Sequence, residues 1–389
     1  EGRLAWWWKD YIDRKFMAMY QNYEPPKMTA TTSSSPDQDA EAAMRCLGCG
    51  GKVGGGVLRR ALAKLEIPQR DEVKLGLDDP DDAAVLQFVG DPSLLVTTDF
   101  FAAPLDDPYT VGRLSALNAL SDVWAMGGSP TAALTIATVP FGGERAQSRF
   151  LAESLAGSLH EFRKANTALV GGHTIEGPRF TLGFTILGQA AEQYADSTWT
   201  KSSLEPGDRL VLSKPLGSGV LLAAAMRAEC RGEWYVDLLN HLTKSNQAGA
   251  EMAAKHGLCA VTDVTGFGLA GHLLEMLTAS DVNARIELAS LPLLGGTETL
   301  VKQGIVSTLD VANRAAEERI EADEKTRKSP RYTILFDPQT SGGLLLGVPA
   351  SKCQTLLAEM EDATVIGTVT SKAAGAPTIV AVLGPSSFG

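Results

Sequence analysis

A glycine-rich stretch places two thiols and an amine among largely bare backbone. Residues 45–56 read RCLGCGGKVGGG and carry Cys46, Cys49 and Lys52. Consecutive unhindered N–H groups form an anion-binding nest, and the Lys52 ammonium adds a point charge. A Cys49 thiol beside Lys52 and just before a predicted helix ionises readily, as nucleophiles and chalcogen carriers require. The stretch therefore fits a phosphate cradle, a metal knuckle or a flexible lead-in to a helix.

Two common phosphate motifs do not match this stretch. A P-loop needs glycine where Cys46 stands and serine or threonine where Val53 follows the lysine, and Val53 also breaks the GxGxxG pattern. Cys46-x-x-Cys49 fits half a zinc knuckle or a redox pair, but no second CxxC or CxxH occurs, which disfavours zinc. The remaining cysteines are expected to be buried as small apolar residues: Cys230, Cys259 and Cys353.

Aspartates stand at the ends of several predicted strands. Asp99 follows LLVTT, Asp263 follows LCAVT, and Asp81 and Asp82 precede AAVLQF. Carboxylates on separate segments suit Mg²⁺, which bridges one or two of them to phosphate oxygens. The alternative for each aspartate alone is a helix cap or a turn former.

Two further residues could face a ligand. Asp122 lies in the middle of a predicted helix, where a cap is not needed, and shares a face with Asn118 four residues earlier. His173 follows two glycines in VGGHT and fits a core histidine and a ligand-facing turn equally well.

Composition excludes some classes of function. A net charge of -11 argues against a nucleic-acid-binding protein, although local glycines, a lysine and a metal still accommodate a nucleotide. No apolar run reaches the roughly 18 residues of a membrane-spanning helix. Five cysteines without a regular framework predict a reducing, cytoplasmic location.

Strands and helices alternate in two units without a strict βαβ rhythm, which predicts an α+β fold. We expect a glycine-rich catalytic loop and helix over 45–74, an ATP- and magnesium-binding α/β domain over 75–192, and an α+β domain over 200–389. The boundary between the last two lies between about residues 192 and 206, where charged residues and Pro206-Gly207 interrupt the apolar segments.

The N-terminal residues have a different character. Residues 1–27 predict an amphipathic helical segment with large apolar side chains every four residues from Leu4 to Tyr20. Such a helix docks on a partner domain or lies peripherally at a membrane interface. Residues 28–44, rich in Pro, Ser, Thr and acidic side chains, predict a solvated linker.

Seven motifs resemble, in order from Gly48 to the C-terminus, selenophosphate synthetase (selenide, water dikinase): CGGK, DDAAV, TTDFF, NALSDVWAMGG, VGGHT, TDVTGFGLAGHL and DPQTSGGLL. The wider relatives are the ATP enzymes similar to aminoimidazole ribonucleotide synthetase. The resemblance implies an N-terminal α/β domain whose sheet dimerises into a barrel, with an α+β domain packed behind it. The implied reaction converts ATP, hydrogen selenide and water into selenophosphate, AMP and orthophosphate.

The same resemblance implies roles for individual residues. Cys49 matches the family's cysteine-or-selenocysteine position, and Lys52 matches its essential lysine. The magnesium-binding aspartates correspond to Asp82, Asp122 and Asp263. The nucleotide-contacting positions correspond to Lys52, Asp79, Pro80, Asp81, Asp99, Asp122, Gly172, His173 and Thr174. A homodimer is implied, and a K⁺ requirement is left open. Many relatives read Cys-Gly-Cys-Lys, whereas Gly51 stands here at the second cysteine.

The segment LAWWWKDYIDRKFMAMYQ resembles the C-terminal end of NADH dehydrogenase-like flavoproteins. We therefore expect this chain, which opens with Glu1, to be the synthetase part of a fusion with an upstream flavoprotein domain.

Two rival functions are an ATP enzyme of the same fold, similar to thiamine-monophosphate kinase, and a non-catalytic nucleotide sensor. A sensor has no use for Cys49 and Lys52.

Overall fold

The computed structural model describes residues 47–51, 71–75, 81–87, 93–190, 199–372 and 379–384. These residues belong to one compact unit. The predictions for segments 1–27 and 28–44, Lys52, Asp79 and Pro80 lie outside the described residues and stay predictions, as does the flavoprotein resemblance.

The first sheet has six strands in the part of the chain that the structure describes. Their bounds are β1 Val73–Leu75, β2 Ala84–Leu86, β3 Leu94–Ala102, β4 Gly128–Pro140, β5 Ala168–Gly177 and β6 Thr181–Ala190. Their order is β1-β2-β3-β6-β4-β5. The β4–β5 pair is parallel, and the other described pairs are antiparallel. This arrangement leaves β5 at one edge of the sheet.

Two long helices connect strands of this sheet: α1 Pro108–Ala125 between β3 and β4, and α2 Glu144–Lys164 between β4 and β5. The Thr110 N–H donates to the Asp107 carboxylate at 2.7 Å, and Pro108 occupies the first turn, which together fix where α1 begins. Gly127 follows the helix with φ +67°, a left-handed conformation that favours glycine just after a helix end. Helix α1 is buried around most of its circumference because the sheet lies on one side and α2 on another.

The second sheet has seven strands among the described residues, all of them after residue 200. Their bounds are β7 Arg209–Leu212, β8 Val261–Asp263, β9 Val282–Glu287, β10 Ile320–Glu321, β11 Leu344–Val348, β12 Thr364–Ser371 and β13 Ile379–Val382. Their order is β10-β13-β9-β12-β7-β11-β8. The edge strand β8 contacts α1, so α1 lies between the two sheets.

Shorter helices surround the second sheet: α3 Ser218–Met226, α4 Gly232–Leu242, α5 Gln247–Lys255, α6 Gly268–Ser280, α7 Thr297–Lys302, α8 Asp310–Asn313, α9 Glu324–Arg327, α10 Pro330–Ile334 and α11 Ala350–Glu359. One apolar cluster runs continuously from α1 and the first sheet to β7, β11 and α11. Within the described residues, no helix is both long and apolar enough to span a membrane.

Helices α1 and α2 approach each other through glycines. A Cβ built on Gly157 would lie 1.9 Å from the Tyr109 carbonyl oxygen, and one on Gly112 would lie 1.8 Å from the Ser154 carbonyl oxygen. The two backbones are therefore too close for any side chain at either position. Because α1 carries Asp122, this contact helps to fix the position of that carboxylate along the axis of α1.

We predict that Gly157→Ala lowers the free energy of unfolding by about 1–3 kcal/mol, although alanine is the better helix former, because the new methyl group meets backbone. Gly232→Ala is the matched control, since a Cβ there meets nothing within 4 Å. Its effect should stay within about 1 kcal/mol. Urea unfolding of both variants checks this, and equal effects would contradict the proposed close approach.

Candidate active site

Aspartates from both sheets share one neighbourhood. Asp99 lies in β3, Asp122 on α1, and Asp263 at the end of β8. Burial, followed by the charges of Asp263, Asp99 and Asp82, holds the pKa of Asp122 well above its ordinary value. The Thr97 hydroxyl donates to Asp122 Oδ2 at 2.6 Å. The structure thus brings Asp82, Asp99, Asp122 and Asp263 into one neighbourhood.

Asp81 and Asp82 join this group just before β2. The Lys201 ammonium lies 2.8 Å from Asp82 Oδ1, and the Thr262 hydroxyl donates to the same oxygen at 3.0 Å. Burial, and then the neighbouring Asp82 charge, raises the pKa of Asp81 to about 6, although Lys201 acts to lower it. Asp82 is therefore held by Lys201, which follows the first sheet in the chain, and by Thr262, which belongs to the second sheet.

Asn118 joins Asp99 to the loop over residues 337–343. Its Nδ2 donates to Asp99 Oδ2, and its Oδ1 accepts the Ser341 N–H at 3.0 Å. Ser341 has φ +50°, a left-handed conformation that costs free energy for a residue with a side chain. Lys214 Nζ donates to the Ser341 carbonyl at 3.1 Å. Both peptide groups of this strained residue are thus anchored.

Gln339 fixes the first half of the same loop. Its side-chain oxygen accepts the N–H groups of Gly217 and Ser218 at 3.0 and 3.2 Å, at the start of α3. Its Nε2 donates to Asp337 Oδ2 at 2.9 Å. Burial raises the pKa of Asp337 to about 7. The DPQTSGG motif is therefore a rigid, buried loop between the sheets.

The turn that carries Cys49 lies against this loop. Residues Gly48–Gly51 form one 3-10 turn, which contacts β3. Gly48 has φ +65°, and a Cβ there would lie 2.9 Å from the Thr340 hydroxyl and 3.5 Å from Pro104. The turn thus packs between the strand of Asp99 and the 337–343 loop. Lys52 follows the turn directly in the sequence.

Gly172, His173 and Thr174 lie elsewhere. All three are exposed on the edge strand β5, so the turn considered for His173 is wrong, because this segment pairs with β4 over its whole length. Gly172 occupies the same row as Asp99, but β6 and β4 stand between them. Three strand spacings amount to about 14 Å, so this chain alone does not bring these residues to the carboxylates.

Among the other cysteines, the expectation of burial holds only for Cys353. Cys230 and Cys259 are half-buried. All three are free thiols.

The donor set suits Mg²⁺. Asp82 Oδ2 is buried and has no hydrogen-bond partner among the described residues, which leaves a carboxylate oxygen open for a hard cation. Across the described ranges, no group of three His, Cys, Asp or Glu side chains lies close enough together to hold an ion by itself. Because Mg²⁺ binds through one or two carboxylates together with substrate phosphates, such a cage is not required. The metal role of Asp82, Asp122 and Asp263 stays a prediction.

Sequence reasoning missed three residues of this neighbourhood. Gln339 and Lys214 belong to conspicuous motifs, DPQTSGG and SKPLGSG, so their positions could have been flagged. Lys201 stands in an ordinary polar segment, TWTKSS. Nothing in that segment signals that its ammonium is buried among carboxylates.

Comparisons with known proteins identify the family to which this chain belongs. The model of the AIR synthase related protein N-terminal domain matches residues 80–190, and that of its C-terminal domain matches residues 205–380. A selenide, water dikinase of Nitratidesulfovibrio vulgaris is 39% identical over 344 residues, which cover 86% of this chain and 96% of the relative. One of Pseudomonas straminea is 37% identical, covering 85% and 93%. The chain belongs to the selenide, water dikinase family.

Solved structures agree on the fold. Thiamine monophosphate kinase from Aquifex aeolicus superposes with a TM-score of 0.58 at 18% identity, covering 85% of this chain and 96% of that one. The hydrogenase maturation protein HypE in complex with ATP gives 0.55 at 18% identity, covering 84% and 92%. At this identity the likeness concerns the fold alone.

The buried Lys214 supplies a test of the site's electrostatics. Burial, and then the charge of Lys244, lowers the pKa of Lys214 to about 7. Between about pH 7 and the ordinary lysine pKa the unfolded chain therefore holds more protons than the folded one, so stability rises with pH in this window. We predict that wild type gains up to about 4 kcal/mol there relative to Lys214→Met.

Denaturant unfolding at pH 7 and pH 10 measures this difference. Lys328→Met, which removes an exposed lysine, controls for the loss of a lysine in general and should follow wild type. A Lys214→Met variant with the wild-type pH dependence would show that the ammonium is not buried as described.

Proposed function

We propose that the chain synthesises selenophosphate from ATP, selenide and water, with release of AMP and orthophosphate. The observation that carries this proposal is the buried group of aspartates beside the turn of Cys49, in a chain of this family. The products require two phosphoanhydride cleavages, in which one phosphoryl group ends on selenium and the other on a water oxygen. Catalysis of this kind rests on positioning and charge stabilisation.

The aspartates serve the triphosphate. Asp82, Asp122 and Asp263 would hold Mg²⁺, which when bound neutralises phosphate charge. Asn118 orients Asp99 through its Nδ2, and its other end is tied to Ser341, so this amide cannot turn without losing a bond. Asp79, Pro80 and Asp81 would contact the nucleotide, and Lys52 would stabilise charge on a transferring phosphoryl group.

Cys49 serves selenium. A thiolate is a soft ligand and suits a soft selenium nucleophile better than an oxygen side chain would. The packing of its turn against β3 and Thr340 supports a position next to the aspartates. Its role is delivery of selenium to the phosphoryl group, with no bond from sulfur to phosphorus.

A second copy of the chain completes the nucleotide site. Gly172, His173 and Thr174 are exposed on β5, about 14 Å across the sheet from their own Asp99. The sheet face opposite α1 also exposes Phe100 and Ile175, at 52% and 53%. A homodimer that pairs these faces would cover the apolar side chains and place His173 in the interface with the partner.

The domain limits and the location belong to the same proposal. Units over 75–192 and 200–389 would correspond to the two sheets, with the glycine-rich loop over 45–74 closing on the first. Free thiols at Cys230, Cys259 and Cys353 support a cytoplasmic location.

Phosphorus NMR with ATP, Mg²⁺ and anaerobic selenide tests the function. We expect a selenophosphate resonance with a matching amount of AMP. Asp122→Asn should lower its rate by about 100-fold or more, since it removes one of the carboxylates proposed to hold Mg²⁺ on the phosphates. Cys49→Ser should bind ATP normally yet form no selenophosphate, because the soft ligand is lost.

Cys230→Ser is the matched control for the thiol, since Cys230 is half-buried and outside the site. ADP as the end product would indicate an ordinary kinase instead. A folded, ATP-binding protein without turnover would favour a nucleotide sensor, and full activity of Cys49→Ser would make Cys49 structural.

The dimer has its own test. We predict that wild type elutes at twice the chain mass of 41.2 kDa and that Ile175→Asp shifts it to the monomer, because a charge enters an apolar interface. Light scattering after size-exclusion chromatography measures both. Val311→Asp, at a position 78% exposed on α8, should remain dimeric, and a monomeric wild type would contradict the shared site.

A further inference from the structure

A buried lysine lies inside the carboxylate group. The Lys201 side chain is 7% exposed, and its ammonium lies 2.8 Å from Asp82 Oδ1, 3.1 Å from Glu275 Oε2 and 3.8 Å from Asp81 Oδ1. Burial acts to lower the pKa of Lys201, but these three negative charges outweigh it and raise the pKa. The site therefore contains a permanent positive charge.

The backbone of Lys201 is fixed as firmly as its side chain. Its N–H donates to Asp81 Oδ2 at 3.0 Å, and its carbonyl accepts the Ser280 hydroxyl at 3.1 Å. Ser280 and Glu275 both belong to α6, whereas Asp81 and Asp82 precede β2. Lys201 thus joins the first sheet's aspartates to a helix of the second sheet.

The two oxygens of Asp82 have different surroundings. Oδ1 accepts from Lys201 and from the Thr262 hydroxyl. Oδ2 is buried without a hydrogen-bond partner among the described residues. One carboxylate therefore has a resident cation on one oxygen and an open oxygen on the other, and the Lys201 bond sets the direction in which that open oxygen points.

We propose that Lys201 is a resident countercation that orients Asp82 and weakens the binding of a bare divalent cation there, so that the metal enters together with ATP. This inference rests on the proposed metal role of Asp82. An ammonium on Oδ1 repels an ion on Oδ2 of the same carboxylate, at a separation of about 5–6 Å. At an effective dielectric constant of about 20 and this separation, the repulsion between one ammonium and a divalent ion corresponds to a loss of affinity of about 10⁴-fold as an upper bound. The four negative charges of the ATP triphosphate offset this repulsion when the metal enters as its complex with ATP.

Removal of the ammonium should have two linked effects. Asp81, Asp82 and Glu275 lose their counter-ion, so the melting temperature falls in metal-free buffer. A divalent cation then substitutes for the ammonium and restores it. A lysine with only a structural role would give a loss of stability that the metal leaves unchanged.

The test is Mn²⁺ binding to the full chain without nucleotide, followed by electron paramagnetic resonance, with thermal unfolding in parallel. We expect Lys201→Gln to bind Mn²⁺ at least about 10-fold more tightly than wild type and to recover its melting temperature when Mn²⁺ is added. Lys201→Arg keeps the charge and should resemble wild type. Lys244→Gln, which removes a half-exposed lysine paired with Asp362, is the matched control and should also resemble wild type.

Unchanged or weaker Mn²⁺ binding by Lys201→Gln would overturn the inference. Lys201→Met, which keeps much of the apolar stem, repeats the measurement if the glutamine variant does not fold. Asp82→Asn separates the two levels of the argument. If it loses Mn²⁺ while Lys201→Gln equals wild type, only the role of Lys201 fails. If it binds Mn²⁺ as wild type does, the metal role of Asp82 in the proposed function fails as well.

Discussion

The contact between the two sheets depends on one constraint, which is the like-charge repulsion among buried carboxylates. Asp82, Asp99, Asp122 and Asp263 come from different segments of the chain, and burial, followed by the charges of the other three, raises the pKa of Asp122. Such a group is stable only where hydrogen-bond donors or cations oppose it. Thr97, Asn118 and Lys201 supply that opposition.

The opposing groups also hold the molecule together. Asn118 reaches from α1 to the 337–343 loop, and Lys201 ties α6 to the segment before β2. The same bonds that make the aspartates tolerable therefore fix the second sheet against the first. Because the turn of Cys49 packs on β3 and on Thr340, the thiol-bearing segment depends on this arrangement too.

One part of the predicted nucleotide site is separated from the rest by the sheet itself. Strand order places β5 at the edge, so Gly172 and His173 lie about 14 Å across the sheet from Asp99 of their own chain. The exposed apolar side chains on the same face of the sheet give a physical reason for a second copy to cover it. The same face of the sheet would then form the dimer interface and contribute to the nucleotide site.

The sequence by itself determined the long elements and the class of chemistry. The segment around Asn118 and Asp122 predicted a helix where α1 lies, and the family motifs singled out the aspartates, because both signals are local in the chain. It did not show that His173 lies in an edge strand or that Lys201 is buried beside Asp82. Those facts depend on strand order and on contacts between residues more than a hundred positions apart, which only the tertiary structure decides, since burial and charge proximity are properties of packing.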